Sequence, residues 1–506
     1  MSRRDPSKAH TIGPRRSSGE GGSPAEPVFK DAPSMIRGSP GVSPSFEIHS
    51  LAFIPTPLRT FNTIRPPGFT NLGNSWYLAG VTAMKKSKEA TNMGVEKINR
   101  RGFLEKTGRT GAALAAAAAL PGSRQAVSAN DKIVLGLIGC GGRGTQLMRL
   151  CLQIDPAVTV AGVCDVYERR RANAKALAQS EPRDFADHLQ LLEMKDIDAV
   201  IIATPDHMHC PQVHDAIAAG KDVYVEKPLT YSVEEGVRLI QAVRASDRIV
   251  QVGMQRRSAP MCIEAKKLID QGVLGDVTLV RAQWYWNVPP LDMNVKVEGD
   301  FDWDLFQGSA PKRPFDPCRA VHWVFYWDYS GGVVTGQGVH LLDLVQWFMG
   351  KGTPLSAVME GGSYKLGAEC PDVFSASYQY DGFTASWILS YNNSFDNGWK
   401  VTFHGTEGTL VIGEPIFAEG ETGYRIYKEP WRDVENRKPI YKSEEGLPTE
   451  PHLANWLECM RARKQPNAPV EVGHTAAAPC HLANQAYRHK TVARLDKECT
   501  KVTLGA

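Results

Sequence analysis

The chain has 506 residues, of which 42% are hydrophobic and 22% charged, values that are typical of a soluble globular protein with two or more domains. Its 58 basic and 55 acidic residues leave a net charge of +3, so the composition predicts neither a nucleic-acid partner nor binding to an anionic membrane. The ten cysteines show no CxxC and no paired spacing, which argues against a disulfide framework.

The first hundred residues differ in composition from the rest of the chain. Residues 1 to about 75 are rich in Pro, Gly, Ser and Arg and lack sustained apolar periodicity. A segment of this kind cannot bury enough surface to offset its chain entropy. We therefore predict that residues 1–98 are a disordered extension, or an upstream stretch from a misplaced start codon with Met84 and Met93 as alternative starts.

Residues 99–129 have the layout of an export signal. Arg100 and Arg101 form a twin-arginine pair, a weakly apolar Ala-rich run covers Gly111–Leu120, and small residues that end at Ala129 suit a cleavage site. The apolar run is too short to span a bilayer, which takes roughly 20 residues. We predict a twin-arginine signal that exports the folded protein to the periplasm; the alternative is an Ala-rich amphipathic helix in a cytoplasmic protein.

A Gly-rich loop follows the first strand of the globular part. Ile133–Ile138 has the apolar pattern of a buried strand and leads directly into Gly-Cys-Gly-Gly-Arg-Gly, residues 139–144. A helical pattern, Thr145–Leu152, comes next, and a second strand, Val158–Cys164, ends on Asp165. Strand, G-x-G-x-x-G, helix and a later acidic residue make up the dinucleotide-binding fingerprint; the alternative is a Gly-rich turn without a ligand.

Each residue of this fingerprint has a physical task. Gly139 allows the tight turn, Gly141 lets the backbone approach the pyrophosphate, and Gly144 lets helix and strand pack closely. The amino terminus of the helix faces the phosphates. Asp165 can accept hydrogen bonds from a ribose 2′-hydroxyl and would repel a 2′-phosphate, so we predict NAD rather than NADP, although the nearby Arg169–Arg171 weaken this preference.

Strand and helix patterns continue to alternate up to residue 255. In chain order they are the strand Ala199–Ala203, which leads into Thr204-Pro205, the helix Val213–Ala219, the strand Val223–Val225, the helix Val233–Ala245 and the strand Ile249–Met254. This alternation predicts a doubly wound parallel sheet, and we assign residues 130–255 to a Rossmann domain.

One of these strands ends on charged residues. Val223–Val225 is followed at once by Glu226, Lys227 and Pro228. In a parallel sheet the carboxyl ends of the strands face the ligand, so Lys227 is expected at the edge where a cofactor lies. We predict a catalytic role for Lys227; the alternative is a structural ion pair between Glu226 and Lys227.

Residues 256–506 change in periodicity and form the second predicted domain. Met261–Gln271 has a helical pattern. Four later segments alternate like antiparallel strands, namely Val277–Trp286, Phe374–Tyr380, Thr384–Leu389 and Lys400–Phe403. Five of the eleven tryptophans lie between Trp284 and Trp327, where they either stack on a sugar ring or belong to a core or a subunit interface. We predict an α+β domain with an open, mainly antiparallel sheet.

Several segments of the chain occur together, in the same order, in a known family. They are GCGGRG, VCDVYE, IIATPDHMH, VYVEKPLT, QVGMQRRS, DWDLFQGSAPKRPFDP, SGGVVTGQGVHLLDLVQWFMG and NWLECMRARKQPNAPVEVGHTAAAPCHLANQAYR. Together they resemble the glucose-fructose oxidoreductase/inositol dehydrogenase (Gfo/Idh/MocA) family, in particular its exported branch with a bacterial-type C-terminal domain. The resemblance covers about residue 131 to the end, and its most specific points are Glu226-Lys227-Pro228 and Gly338-x-His340-x-x-Asp343.

The resemblance implies NAD(P)-linked chemistry on sugars, cyclitols or their derivatives. It places Lys227 near the nicotinamide and the substrate, and it matches His340 to the family's acid/base histidine; the alternative is a structural histidine near a helix start. An imidazole with a pKa of about 6.5 suits removal of a hydroxyl proton. The resemblance and the fingerprint together imply these cofactor-binding residues: Gly139, Gly141, Arg143, Gly144, Asp165, Thr204, Pro205, His209, Glu226 and Lys227.

The family resemblance also implies how the domains assemble. It predicts a Rossmann domain followed by an α+β domain whose open sheet often forms a subunit interface. We therefore expect a homo-oligomer, a dimer or a tetramer, in which the last helices of each chain pack back on its Rossmann domain.

The chain departs from the family at one position near His340. Sugar dehydrogenases of this family commonly place an Asp four residues before that histidine, where this chain has Gly336; Gln337 and Asp343 are polar groups that could stand in. Three functions therefore stay open. They are an NAD-dependent oxidoreductase of sugars, an NAD-dependent glycosidase similar to α-N-acetylgalactosaminidases, which oxidises, eliminates, adds water and reduces again, and a sugar-binding homologue without catalysis.

Metal and hydrolase chemistries are not predicted. His207-x-His209 lies in a predicted strand-to-helix loop, and no further ligand of suitable spacing accompanies it. The resemblance places His209 near the cofactor instead. No Ser/His/Asp or P-loop signature stands out in the chain.

Overall fold

The structure is a computed structural model that describes residues 132–414, 422–430, 437–496 and 500–505. The predicted extension, residues 1–98, and the predicted signal, residues 99–129, lie outside these residues. Within the described ranges the fold is organised by two sheets, one in each half of the globular part. None of the helices in those ranges is both long and apolar enough to cross a bilayer.

The first sheet is parallel throughout. Over the residues described, its strand order is β3-β2-β1-β4-β5-β6. The strands are β1 (Ile133–Ile138), β2 (Val158–Cys164), β3 (Arg183–Phe185), β4 (Ala199–Ile202), β5 (Asp222–Val225) and β6 (Val250–Val252). The helices between them are α1 (Gly142–Ile154), α2 (Glu168–Leu177), α3 (His188–Leu192), α4 (Asp206–Ala218) and α5 (Val233–Arg244). This is the predicted doubly wound Rossmann sheet, with β4 and β5 buried along their whole length.

The second sheet is mixed and mostly antiparallel, as predicted. In the described part of the chain its order is β14-β13-β12-β11-β7-β10-β9-β8-β15-β16, with β7 and β10 parallel. The strands are β7 (Val277–Tyr285), β8 (Ser356–Gly362), β9 (Val373–Gln379), β10 (Thr384–Ser390), β11 (Gly398–Gly405), β12 (Gly408–Glu414), β13 (Gly423–Lys428), β14 (Tyr441–Ser443), β15 (Ala493–Leu495) and β16 (Val502–Leu504). The helices are α6 (Pro260–Asp270), α7 (Trp303–Gln307), α8 (Pro317–Val321), α9 (Gly332–Met349), α10 (Glu450–Ala462) and α11 (Val470–His489).

One face of the second sheet is covered by helices. In β9 the buried residues Phe374, Ala376 and Tyr378 alternate with exposed serines and a glutamine, as a strand with one buried face requires. Helix α9 packs against the buried face at β7 and β10, and it is itself buried along nearly its whole length. The apolar sequence of α9 therefore places it between the sheet and the rest of the molecule.

The last two long helices contact the Rossmann domain. Helix α10 packs on α1, and α11 packs on α5 and β6. A glycine makes the second contact close, because a Cβ at Gly236 of α5 would collide with the His474 ring of α11. One hydrophobic cluster extends from Val225 in the first sheet to Trp387 in the second. This shared core fixes the edge of the Rossmann sheet against the helices of the second domain.

Two elements differ from the sequence prediction. Strand β3 was not predicted, because its three residues, Arg183–Phe185, include two charged ones and lie at the edge of the sheet. Helix α4 was predicted to begin at Val213 but begins at Asp206, with Pro211 inside it. The proline interrupts the helical pattern of the sequence without ending the helix. As a result His207-x-His209 lies on a helix, and the prediction that it lies in a loop was wrong.

Two buried histidines connect the last helices to the Rossmann domain. His452 of α10 lies 2.7 Å from Ser258 Oγ through Nδ1 and 2.9 Å from the Val252 carbonyl oxygen through Nε2. His481 of α11 lies 3.2 Å from Thr230 Oγ1 through Nε2. Burial lowers the pKa of each ring to about 4. Both rings are therefore neutral in the folded protein at neutral pH.

We expect these rings to make the protein less stable in mild acid. In the unfolded chain they titrate at a pKa of about 6.5, so the unfolded chain binds their protons first. The stability that they contribute is complete above about pH 6.5 and is lost as the pH falls to about 4, by up to about 3 kcal/mol for each ring. Urea titrations across this window measure the free energy of unfolding. His452→Gln should reduce the slope and His489→Gln, at the exposed end of α11, should not; an unchanged slope in His452→Gln would contradict the assignment.

Candidate active site

The candidate site lies where β4 and β5 end. The two strands are parallel neighbours, and Ile202 pairs with Val225. Thr204-Pro205 after β4 and Glu226-Lys227 after β5 therefore leave the sheet at the same edge. The peptide bond between Lys227 and Pro228 is cis. Parallel doubly wound sheets bind their ligands at this edge, as was expected for Lys227.

At two positions of the Gly-rich loop, close contacts leave room only for glycine. Gly139 has a φ of +91°, and a Cβ there would lie 2.5 Å from the Ala203 carbonyl oxygen. A Cβ at Gly144 would collide with the carbonyl of Gly139. These contacts hold the tight turn and the packing of α1 on β1, the two tasks predicted for these residues.

Gly141 differs from the other two because the space beside it is open. The nearest atom to a Cβ built there would be Arg170 Nη1, at 3.9 Å. Gly141 immediately precedes α1, and no described side chain caps that helix. The first turn of α1 therefore lies beside a loop without bulky side chains, a cradle that fits a dinucleotide pyrophosphate.

Asp165 follows β2 as predicted, but its carboxylate also holds the Gly-rich loop. Oδ2 accepts the Cys140 N–H at 2.8 Å, and Oδ1 accepts the Tyr167 N–H at 2.9 Å. Each oxygen keeps a second lone pair, so Asp165 can still accept a ribose hydroxyl. Asp165 thus stabilises the Gly-rich loop and is also free at its remaining lone pairs for the predicted contact with the cofactor ribose.

An ion pair joins the Gly-rich loop to the end of β5. Arg143 Nε donates to Glu226 Oε1 at 2.7 Å, and Arg143 Nη1 donates to Gln146 Oε1 at 2.9 Å. Burial opposes ionisation of Glu226, but the charges of Arg143 and Lys227 outweigh it and hold the pKa of this carboxyl below its usual value. Glu226 is therefore an ionised partner of Arg143, and it also accepts the Lys227 main-chain N–H at 3.2 Å.

The Lys227 side chain reaches the second domain. Its Nζ donates to the Gly336 carbonyl oxygen at 2.9 Å, and Gly336 precedes His340 by one turn of α9. His340 is 7% exposed, and its Nδ1 has no hydrogen-bond partner among the described residues. Burial, together with the charge of Lys227, holds the pKa of His340 well below its usual value of 6.5. The ring is therefore neutral at neutral pH, and it is a weaker base than the sequence led us to expect.

Position 336 is open where the family resemblance leads one to expect an Asp. A Cβ at Gly336 would meet a single atom, at 4.0 Å. Of the two suggested substitutes, Asp343 is 1% exposed and is held by the Arg257 guanidinium at 2.7 and 2.9 Å. Gln337 Nε2 donates to the Tyr391 hydroxyl at 3.1 Å. Protein partners therefore hold both side chains, and neither restores a carboxylate at this position.

His209 lies beneath the site and connects the two strand ends. Its ring is 1% exposed, with Nδ1 2.7 Å from the Pro228 carbonyl oxygen and Nε2 2.9 Å from that of Thr204. Burial lowers the pKa of His209, and a neutral ring donates to only one of these oxygens. Thr204 Oγ1 donates to Gln212 at 2.6 Å, and Pro205 immediately precedes α4. We interpret His209 as a support for the loops that hold Thr204 and Lys227.

Asp206 is a site residue that the sequence analysis did not single out. It is the first residue of α4, is 4% exposed, and accepts the Ser330 hydroxyl through Oδ2 at 2.6 Å. Burial raises the pKa of Asp206 to about 7, although the Ser330 bond and the charge of Lys227 oppose this rise. A charged residue close behind a buried parallel strand was the signal that identified Lys227, and the same signal could have identified Asp206.

The aromatic residues before α9 form a small core. Trp303 stacks on Phe306 with ring centroids 5.1 Å apart, and Phe301 and Tyr329 contact the same ring of Phe306. His207 lies 5.3 Å from the Tyr329 ring, and its Nε2 lies 3.0 Å from the Phe306 carbonyl oxygen. Of the roles left open for the tryptophans, that of a residue packed against this core therefore describes Trp303.

Over the described ranges no three potential metal ligands lie together.

Two domain models of one family match the chain. One, described as an oxidoreductase family with an NAD-binding Rossmann fold, matches residues 133–254, and the other, the GFO/IDH/MocA C-terminal domain, matches residues 262–411. Together they cover more than half of the chain. The chain belongs to the Gfo/Idh/MocA oxidoreductase family. The match confirms the predicted family and NAD as the cofactor of its first domain, whereas the exported branch stays a prediction.

Relatives of the chain include inositol 2-dehydrogenases. An inositol 2-dehydrogenase from Klebsiella pneumoniae is 35% identical over 148 residues, which make up 29% of this chain and 44% of that protein. The chain matches about half the length of the first curated relatives to which it is similar.

Solved structures of the same fold include two dehydrogenases in complex with NADH. The WlbA dehydrogenase from Bordetella pertussis, solved with NADH and UDP-GlcNAcA, has a TM-score of 0.57 and 21% identity and covers 72% of this chain and 99% of its own. Levoglucosan dehydrogenase, solved with NADH and levoglucosan, has a TM-score of 0.56 and 18% identity and covers 72% of this chain and 99% of its own. At 21% and 18% identity, these two structures show a similarity of fold only.

Gly336 and Gly338 make a matched pair that tests the packing of α9. A Cβ at Gly338 would lie 2.8 Å from Trp387 Nε1 and 2.9 Å from Cys480 Sγ, whereas the space at Gly336 is open. We expect Gly336→Ala to stabilise the protein by about 0.5–1 kcal/mol through helix propensity, and Gly338→Ala to destabilise it by about 1–3 kcal/mol through overpacking. Urea unfolding measures both changes. Equal effects at the two positions would contradict the packing described.

Proposed function

We propose that the protein is an NAD-dependent oxidoreductase that transfers hydride between nicotinamide and a sugar, a cyclitol or a sugar derivative. The observation that carries this proposal is that the Lys227 ammonium, at the ligand edge of the Rossmann sheet, lies near His340, whose Nδ1 has no hydrogen-bond partner among the described residues. Membership of the Gfo/Idh/MocA family supports the reaction class. The inositol 2-dehydrogenases among its relatives support a polyhydroxylated substrate.

The chain has the groups that would hold the cofactor. The loop of Gly139, Gly141 and Gly144 and the first turn of α1 suit the pyrophosphate, and Asp165 can accept the ribose hydroxyls. NAD supplies a hydride acceptor when it is bound. A 2′-phosphate would meet the carboxylate of Asp165, although Arg170 lies near Gly141 and would attract it.

We therefore expect the protein to bind NAD more tightly than NADP. The carboxylate of Asp165 is fixed by two main-chain N–H groups, so it cannot easily turn away from a 2′-phosphate. Titration of the tryptophan fluorescence with each cofactor measures the two dissociation constants. NADP binding tenfold or more tighter than NAD binding would overturn this expectation and would assign the larger influence to Arg170.

The chemistry of the substrate determines the tasks of Lys227 and His340. Oxidation of a carbinol removes a hydride from carbon and a proton from oxygen, and a carbonyl forms. Lys227 can donate a charged hydrogen bond to this oxygen, and Nδ1 of neutral His340 can accept the proton. In the reverse direction His340 returns the proton to the oxygen. Position 336 contributes only its main-chain carbonyl, which holds the Lys227 ammonium on the side of α9.

We expect Lys227→Ala and His340→Ala each to lower kcat by about 10²-fold or more, as the loss of a general acid–base group does. NAD affinity should remain within a few fold, because the Gly-rich loop and Asp165, which would hold the pyrophosphate and the ribose, are unchanged. The matched controls are Lys351→Ala, which removes an exposed ion pair with Asp381, and His489→Ala. If Lys227→Ala keeps full turnover and only melts earlier, Lys227 is a structural link to α9 and the acid/base role passes to His340 alone.

The function itself is tested by purification without added cofactor. Absorbance and mass analysis detect bound NAD(H), and a screen of sugars, cyclitols and glycosides then detects turnover. NADH formation with a sugar or cyclitol would support the proposal. Hydrolysis of a glycoside without net NADH formation would assign the NAD-recycling glycosidase instead, and bound NAD without any turnover would assign a sugar-binding homologue.

A further inference from the structure

Asp206 and Ser330 form a buried link between the Rossmann edge and α9. The Ser330 hydroxyl donates to Asp206 Oδ2 at 2.6 Å and accepts the Gly332 N–H at 3.1 Å. A hydroxyl has one proton, and a main-chain N–H can only donate, so the proton of Ser330 is committed to Asp206. Ser330 is 0% exposed. The carboxyl at the start of α4 is therefore joined through one side chain to the first residue of α9.

Helix α9 contacts one of the two proposed catalytic residues, Lys227, and carries the other, His340. The Gly336 carbonyl in α9 accepts Lys227 Nζ at 2.9 Å, and His340 follows one turn later. The amino-terminal turn of α9 sets where this carbonyl and this ring lie relative to the end of β5. A group that fixes Gly332 to the Rossmann edge consequently fixes the distance between Lys227 and His340.

Asp206 also lies in the electrostatic field of Lys227. The ionisable groups that face it are Lys227 and Glu226 from the end of β5 and Cys370 from the segment before β9. Glu226 is already paired with Arg143 at 2.7 Å. Asp206 forms no ion pair with another residue of the described ranges, so its carboxylate can offset the ammonium charge of Lys227. Position 336 is a glycine, so it supplies no second negative charge.

We propose that Asp206 is a positioning residue for Lys227 and His340. Through Ser330 it fixes the first turn of α9 to the ligand edge, and its carboxylate supplies the negative charge that Gly336 lacks. This inference rests on the proposed function for its kinetic consequences, whereas the link to α9 can be measured without substrate.

The kinetic test uses variants that separate the charge from the link. Asp206→Asn keeps a hydrogen-bond partner for Ser330 and removes the charge, whereas Ser330→Ala keeps the charge and removes the link. Asp206→Asn/Gly336→Asp returns a carboxylate to α9, where a Cβ has open space. Asp222→Asn is the matched control, since Asp222 is a 5%-exposed aspartate that pairs with Arg463 at the opposite end of β5.

We expect Asp206→Asn to lower kcat about tenfold or more with little change in KM or NAD affinity. Because Asp206 gains its charge as the pH rises through about 7, kcat of the parent protein should rise over this range, and the rise should vanish in Asp206→Asn. The double variant should recover most of kcat, and Asp222→Asn should match the parent. An unchanged kcat and pH profile in Asp206→Asn, or the same loss in Asp222→Asn, would overturn the inference.

Hydrogen exchange of the peptide that spans Gly332 and Gly336 tests the link independently of turnover. Ser330→Ala should raise the exchange rate of this peptide about tenfold or more, and Asp222→Asn should leave it unchanged. If the parent protein oxidises no sugar or cyclitol, the proposed function fails, and this exchange experiment still decides whether Asp206 and Ser330 fix α9. Equal exchange in the parent and in Ser330→Ala would overturn the link.

Discussion

The hydrogen bond from Lys227 Nζ to the Gly336 carbonyl oxygen is the contact on which the arrangement of the site depends. It joins the end of β5 to the second turn of α9, and these elements lie in the two different domains of the chain. The register of β4 and β5 sets the position of Lys227, and nearly complete burial sets the position of α9. Because a main-chain oxygen accepts the bond, the contact requires no particular side chain at 336. The absence of the carboxylate that the family resemblance leads one to expect at 336 therefore changes the charge of the site and not this connection.

Two arginines near the site are each paired with a buried carboxylate. Arg143 is paired with Glu226, and Arg257 is paired with Asp343, which removes both of these carboxylates from the substrate. Such pairs are costly to break inside a protein, because one partner would remain buried without compensation. The pairs consequently join the first turn of α1 to the end of β5, and the segment before α6 to α9.

Local patterns in the sequence predicted those parts of the site that depend on one element. Ile133–Ile138 and Val158–Cys164 were located to the residue, and the rule for parallel strands placed Lys227 at the ligand edge. Contacts between segments that are distant in the sequence could not be predicted from such local patterns. Nothing near Asp343 indicates that Arg257 holds it, and Pro211 concealed the start of α4, so Asp206 was taken for a loop residue. Burial of His340 also needs both domains, so its lowered pKa could not be anticipated.

That lowered pKa bears on how a weak base can serve in the proposed reaction. The charge of Lys227 disfavours a protonated His340, and the same charge favours negative charge on a substrate oxygen that it contacts. The two effects oppose each other when the proton moves, because the ammonium makes the substrate hydroxyl more acidic while it makes the ring less basic. A carbinol that is losing hydride also becomes far more acidic at oxygen, so a strong base is needed only before that step. A neutral His340 of low pKa therefore suits a reaction in which proton transfer accompanies hydride loss, and it would be poorly suited to removing the proton beforehand.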